Sequence, residues 1–176
     1  MEITYGGGAS FQIKGDRQIL LNPVGRAGQN DIVLHNSRRK DARQIVNGPG
    51  EYEIGGVLII SVESRSADRR LNHAVSVGDI NVICLGTTEG IEAAEIEALG
   101  RADILLLPTD NLAGAERMIK VFEPRVTLPY GPHAAELCTA MGIKKATVEG
   151  HFAWNGLAKV PVATLLRPAG NGKKAA

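Results

Sequence analysis

The chain has 176 residues, of which 44% are hydrophobic and 22% charged, and its formal net charge is +1. This composition excludes a disordered chain, and the small net charge excludes the strongly basic domain expected of a general nucleic-acid binder. No apolar run approaches the roughly 20 residues that a helix needs to cross a bilayer, so no membrane association is expected.

The first half of the sequence predicts short strands separated by glycine-rich turns. Gly6-Gly7-Gly8 and Asn47-Gly48-Pro49-Gly50 are typical turn sequences, and Gly78-Asp79 predicts a hairpin. The predicted strands are Glu2 to Tyr5, Ser10 to Lys14, Gln18 to Leu21, Ile32 to Leu34, Gln44 to Asn47, Glu51 to Ile54, Val57 to Val62, Ala74 to Val77 and Asn81 to Leu85.

After Gly86 the pattern changes to alternating helices and strands. The predicted helices are Gly90 to Leu99, Leu112 to Phe122 and Ala134 to Met141, and the predicted strands are Asp103 to Leu107, Arg125 to Leu128, Ala146 to Val148 and Leu157 to Leu166. This order predicts an α/β or α+β protein with two sheets covered by helices. We expect one domain over residues 1–167 and a disordered tail over residues 168–176.

The two cysteines and the first residues bear on the cellular compartment. Cys84 and Cys138 are too few for a disulfide framework or a cysteine-rich zinc site, so we expect buried free thiols. Met1-Glu-Ile-Thr-Tyr5 begins with a strand-like alternation, without a basic segment and an apolar stretch. We therefore expect no secretory signal and a cytoplasmic location.

The sequences of several segments resemble those of a known protein family. Its most specific piece is Val46-Asn-Gly-Pro-Gly-Glu-Tyr-Glu-Ile-Gly-Gly-Val57, supported by Ser10-Phe11, Asp31-Ile-Val-Leu34 and Asp103-Ile-Leu-Leu-Leu-Pro108. From Met1 to about Leu128, the chain resembles the metallo-β-lactamase superfamily, in particular its small zinc-dependent hydrolases related to ascorbate-phosphate lactonase. The resemblance implies a four-layered αβ/βα sandwich of two mixed β-sheets flanked by helices, with metals at one edge between the sheets.

The resemblance also implies where metal ligands would lie. These enzymes carry His-x-His-x-Asp-His after the strand that matches Asp31 to Leu34, because zinc requires closely spaced imidazole and carboxylate donors. The family's Leu-Gly-Asp reads Leu85-Gly-Thr87, its Pro-x-His reads Pro129-Tyr-Gly131, and its usual Asp-Pro reads Asn22-Pro23. An ungapped alignment retains one aspartate among the former ligand positions, which are Ser37, Arg39, Asp41, Ala42, Thr87 and Gly131.

These replacements favour a non-catalytic member of the superfamily, with no cofactor and with a binding, regulatory or scaffold role. One alternative is a hydrolase whose metal, such as zinc, is held by His35, Asp41 and His133. Another is metal-free nucleophilic catalysis by Ser37 or Cys84, although a Gly-x-Ser-x-Gly elbow is absent. The remaining histidines, at positions 73 and 151, are interpreted as partly exposed structural residues.

A further hypothesis comes from positive charge in two loops, which the resemblance places over the same edge. The basic residues are Arg38, Arg39, Lys40, Arg43, Arg65, Arg69 and Arg70. Guanidinium groups suit phosphate, so an anion-binding or nucleic-acid-backbone-binding surface is one interpretation, and two solvated polar loops are the ordinary one. A protein partner or self-association fits the binding role, but the residues identify neither.

Overall fold

The computed structural model describes residues 1–38, 45–142, 148–154 and 162–166. The strands are β1 (Glu2–Gly7), β2 (Ser10–Lys14), β3 (Gln18–Leu21), β4 (Ile32–Leu34), β5 (Ile45–Val46), β6 (Gly50–Ile54), β7 (Val57–Glu63), β8 (Leu71–Val77), β9 (Ile80–Cys84), β10 (Ile104–Pro108), β11 (Val126–Tyr130), β12 (Val148–Glu149), β13 (His151–Ala153), β14 (Val162–Ala163) and β15 (Leu165–Leu166). The helices are α1 (Ala93–Leu99), α2 (Leu112–Phe122) and α3 (Ala134–Ala140).

Two mixed sheets dominate the architecture. One has the order β13-β1-β2-β3-β4-β5, with antiparallel pairing up to β3 and parallel pairing beyond it. The other has the order β14-β11-β10-β9-β8-β7-β6, parallel from β14 to β9 and antiparallel from β9 to β6. The prediction of two mixed β-sheets with helices is confirmed.

The core follows from the alternation of side chains along the strands. Ile3 and Ile13 from the first sheet, and Ile59 and Val82 from the second, are fully buried members of one apolar cluster between the sheets. Because successive strand residues point to opposite faces, the other face of the second sheet is left for the helices.

All three described helices pack against the second sheet. Leu99 of α1, Met118 of α2 and Leu137 of α3 share a second apolar cluster with Ile83 and Leu105 of the underlying strands. The ends of β9, β10 and β11 are thereby fixed from both sides, by the core and by the helices, whereas β4 is fixed by the core between the sheets. These contacts position the loops that follow the strands.

The two largest shifts of element boundaries among the described residues, of three residues each, have physical reasons. Helix α1 begins at Ala93 rather than at Gly90, because Gly90 has a φ of +63° and a Cβ there would lie 2.4 Å from the amide nitrogen of Ser66. Strand β8 begins at Leu71 rather than at Ala74, because its first residues pair with the end of β7.

Strand β13 was not predicted, since its short sequence is a strand only through pairing with β1, in which Glu2 lies opposite Ala153. Of the predicted strand from Leu157 to Leu166, residues 157–161 lie outside the described residues and the remainder contributes β14 and β15. The predicted tail, residues 168–176, also lies outside them. None of the described helices is long and apolar enough to cross a membrane.

Candidate functional site

The former ligand positions that the structure describes lie in the loops after β4, β9 and β11. Asn36, just before Ser37, packs so closely on Gly86, just before Thr87, that a Cβ on this glycine would lie 2.7 Å from the Asn36 Cβ. Gly131 lies beside Thr109 in the loop after β10. The loops therefore meet along one edge of the molecule, while Arg39, Asp41 and Ala42 lie outside the described residues.

Amide side chains hold this edge together. Asn22 donates from Nδ2 to the Ala9 carbonyl at 2.9 Å and to Oδ1 of Asn36. The Asn36 amide nitrogen donates back to Asn22 Oδ1 at 2.9 Å, and Asn36 Nδ2 donates to the Leu71 carbonyl at 2.8 Å. Asn36 is buried, so its bond to the Leu71 carbonyl is shielded from water, and together the bonds join β3, β4 and β8 at their ends.

A third asparagine fixes the loop after β9. Asn72 is fully buried, and its Oδ1 accepts hydrogen bonds from the amides of Gly86 at 2.8 Å and Thr87 at 3.3 Å. A Cβ at Gly86 would lie 2.5 Å from the Leu71 carbonyl oxygen, so only glycine fits between these segments. The backbone at the position of the family's bridging aspartate is thus held by a neutral amide.

The donors at this edge do not fit a zinc centre. Ser37 and Thr87 offer neutral hydroxyls and Gly131 offers no side chain, whereas zinc in proteins takes thiolate, imidazole and carboxylate ligands. Within the described ranges, no group of three or more His, Cys, Asp or Glu side chains is arranged to hold a metal ion. The described residues of the family's site therefore supply no adequate ligand set.

The histidines of the alternative metal site have separate surroundings. His35 is buried at the end of β4, and its carbonyl oxygen lies 3.1 Å from Nε2 of His73. His133 is exposed before α3, with Nδ1 3.0 Å from Glu136 Oε2. Asp41 lies outside the described residues, so the structure shows no set formed by these three side chains.

His73 is fully buried, and the expectation of partial exposure was wrong. It lies on the inner face of β8, directly between Ser61 of β7 and Cys84 of β9, so it points into the core between the sheets. Burial lowers the pKa of His73 to about 4 and raises the pKa of the Cys84 thiol to about 12. A buried thiol that stays protonated is poorly suited to nucleophilic catalysis. His151 is exposed.

The two basic loops converge on a shared carboxylate. Glu63 Oε1 lies 2.7 Å from Arg38 Nε, and Glu63 Oε2 lies 2.7 Å from a terminal nitrogen of Arg69. Arg65 pairs with Glu92 at 2.9 Å. Each of these arginines therefore has an anionic partner within the protein, which reduces the positive potential that the sequence suggested.

The two loops carry four more basic residues. Arg70 lies 3.6 Å from Asp68, whereas Arg39, Lys40 and Arg43 lie outside the described residues. Anion binding by the loops stays a prediction. Burial would raise the pKa of Glu63, but hydrogen bonds and charges from Arg38 and Arg69 outweigh it and lower the pKa, so this carboxylate stays ionised and occupies both guanidinium groups at neutral pH.

Replacing Glu63 by glutamine tests how strongly this carboxylate masks the arginines. Glu63→Gln is expected to bind heparin about fivefold more tightly at low salt, because two guanidinium groups lose their ionic partner, and the gain should vanish at high salt. Heparin affinity measured across salt concentrations checks this. Glu97→Gln makes the same charge change on an exposed helical residue, and an equal gain in that variant would show that only net charge matters.

A polar cleft remains beside the amide network. Its volume is about 430 Å³, and its lining includes Arg70, Thr87, Thr88, Asp110 and Asn111. Asn111 caps α2 by accepting a hydrogen bond from the amide of Gly114 at 3.0 Å. The cleft could hold a small polar group, but its lining contains no zinc-type ligand set among the described residues.

Three site residues were missed by sequence reasoning. Glu63 directly follows the predicted strand Val57 to Val62, and its role depends on Arg38 from a distant loop and on Arg69 from the loop after β7. Asn72 and Asn36 act through long-range hydrogen bonds to backbone groups, which leave no local pattern. The replacement of Asp-Pro by Asn22-Pro23 was the available signal that amides had entered this edge.

Comparisons with solved structures agree with this architecture. A candidate Zn-dependent hydrolase of the metallo-β-lactamase superfamily from Thermotoga maritima is 18% identical, with a TM-score of 0.76 over 94% of this chain and 99% of that chain. A candidate metal-dependent hydrolase from Parabacteroides distasonis is 13% identical, with a TM-score of 0.63 over 94% and 92% of the two chains. The metallo-β-lactamase fold protein YhfI from Bacillus subtilis is 10% identical, with a TM-score of 0.57 over 93% and 95%. These likenesses show the fold.

The family itself is shown by the sequence. No curated protein gives a significant match. The profile of the β-lactamase superfamily domain, however, matches residues 2–130, which includes the strands and loops that form the edge described above. The chain therefore belongs to the metallo-β-lactamase superfamily.

Proposed function

We propose that this protein is a non-catalytic member of the superfamily, in which the hydrolase scaffold serves binding, regulation or assembly. The observation that carries this proposal is the chemistry of the edge. Described positions that would supply metal donors hold Ser37, Thr87 and Gly131, and the neighbouring loops are joined by asparagine side chains.

An amide network and a metal centre have opposite requirements. A metal centre concentrates negative or lone-pair donors, whose mutual repulsion is relieved when the cation binds. The amides of Asn22 and Asn36 instead donate and accept in turn, which satisfies them within the protein. This edge needs no cation to be stable, which supports a role for the fold apart from hydrolysis.

Elemental analysis of purified, tag-free protein tests the proposal. We expect zinc, manganese and iron each well below one atom per chain, because the described edge lacks a ligand set. A zinc-loaded hydrolase of the superfamily, purified and dialysed in the same way, shows that the procedure retains tightly held metal. One metal atom per chain, lost on His35→Ala or His133→Ala, would establish the non-standard metal site instead.

A further inference from the structure

The free edge of the second sheet is β6, and no described strand pairs with its outer side. It is joined to β7 by a two-residue loop, Gly55 and Gly56, with φ values of +58° and +83°. Ile54 lies opposite Val57 across this loop. In such a hairpin the pair next to the loop exchanges main-chain hydrogen bonds, and along the strands hydrogen-bonded pairs then alternate with pairs that exchange none. Glu51 and Glu53 belong to pairs of the second kind, so their main-chain N–H and C=O groups point away from β7.

The two faces of this edge differ in character. Glu51 and Glu53 have exposed side chains on the helix side of the sheet, and neither forms an ion pair with any described residue. Tyr52 and Ile54 point to the opposite face, where they are half-buried against the core between the sheets. The edge thus combines outward backbone groups, an acidic row and an apolar row.

We propose that β6 binds an extended segment of another protein in which basic and apolar residues alternate. Main-chain hydrogen bonds to Glu51 and Glu53 would add this segment as a strand. Its basic side chains would lie beside the two carboxylates, and its apolar side chains would extend the packing of Tyr52 and Ile54. This proposal extends the binding role above, and its test leaves the metal positions untouched.

Charge repulsion disfavours pairing of β6 with the β6 strand of a second copy of this protein. In an antiparallel pair of two β6 strands centred on Tyr52, Glu51 of each copy faces Glu53 of the other, and a shift by two residues sets like residues opposite each other. Carboxylates directly opposite one another destabilise a strand pair. Acidic residues on an edge strand also oppose unspecific pairing, so the same side chains that reject neutral or acidic strands select a basic one.

A synthetic peptide of about seven residues, capped at both ends and alternating lysine with valine, is the probe. We expect saturable binding to the full chain, with protection from hydrogen exchange at the amides of Glu51 and Glu53. The matched peptide with glutamate in place of lysine should not bind. A lysine peptide methylated at alternate backbone nitrogens keeps its charges but loses strand pairing, and it should bind at least about tenfold more weakly.

Charge reversal in the protein completes the test. E51K/E53K is expected to weaken the lysine peptide by about tenfold or more and to bind the glutamate peptide. E97K/E123K changes net charge equally at two exposed residues, one in α1 and one directly after α2, and should bind like the wild type. Circular dichroism checks that both variants fold. Equal binding of the methylated peptide, equal weakening in both variants, or exchange protection elsewhere than in β6 would overturn the proposal.

Discussion

Acidification from about pH 7 to about pH 4 is expected to reduce the free energy of unfolding by about 3 kcal/mol through His73 alone, since its pKa is lowered from 6.5 to about 4 in the folded chain. His73 is fully buried, so its charged form is strongly disfavoured. Its Nε2 faces the His35 carbonyl, and its strand neighbours are Ser61 and Cys84, none of which is a carboxylate that could stabilise the imidazolium.

The direction of this pH dependence follows from the difference in proton binding between the folded and unfolded chains. The unfolded chain protonates His73 below about pH 6.5, whereas the folded chain protonates it only near pH 4, so the contribution is fully present above pH 6.5 and is lost as pH falls towards 4. Urea unfolding at several pH values measures the loss. His73→Gln removes the titrating group and should flatten this part of the curve, with Glu63 and other carboxylates still contributing in both proteins. An unchanged slope in His73→Gln would contradict the assignment.

Asn36→Ala is expected to destabilise the fold by about 2 to 4 kcal/mol, the second of the two largest effects. The substitution removes the side-chain donor to the Leu71 carbonyl, which is buried, and the acceptor of the Asn22 amide, which is partly buried. A cavity beside Gly86 would add to the loss. Equilibrium unfolding in urea gives the free-energy difference.

The same substitution at an exposed position provides the comparison. Asn30→Ala lies in an exposed loop and should change stability by less than about 0.5 kcal/mol. Chelator should not alter the unfolding of the wild type, because the amide network rather than a cation joins these loops. A neutral effect of Asn36→Ala, or a midpoint that falls with chelator, would show that this network is not what stabilises the edge.

Much of the fold was predictable, because strands such as β2, β3 and β4 and helix α2 have local periodicity that agrees with their tertiary environment. The elements that sequence analysis missed depend on distant partners. Strand β13 has three residues and exists through β1, and the first residues of β8 are defined by β7. Gly90 lies outside α1 because its φ is +63° and its carbonyl oxygen accepts a hydrogen bond from the amide of Arg65, a distant contact that no local pattern contains.

The site was predictable as a set of replacements but not as an arrangement. Ser37, Thr87 and Gly131 could be recognised from motif positions, since a motif position depends only on the order of residues in the sequence. The pairing of Arg38 and Arg69 with one carboxylate requires knowing which loops meet, and so does the depth of His73. Charge counted along the sequence therefore did not reveal that Arg38 and Arg69 share a carboxylate partner.

The pairing of β1 with β13 bears on how the chain is synthesised. Glu2 is synthesised before its partner Ala153, which follows only after most of the described sequence has been made. Contacts of such large sequence separation form slowly, and an unpaired strand edge is exposed until they do. Among the described strand pairs, β1 and β13 are the furthest apart in sequence, so one side of β1 stays unpaired for longest during translation. This exposed strand edge is where a chaperone would protect the growing chain most.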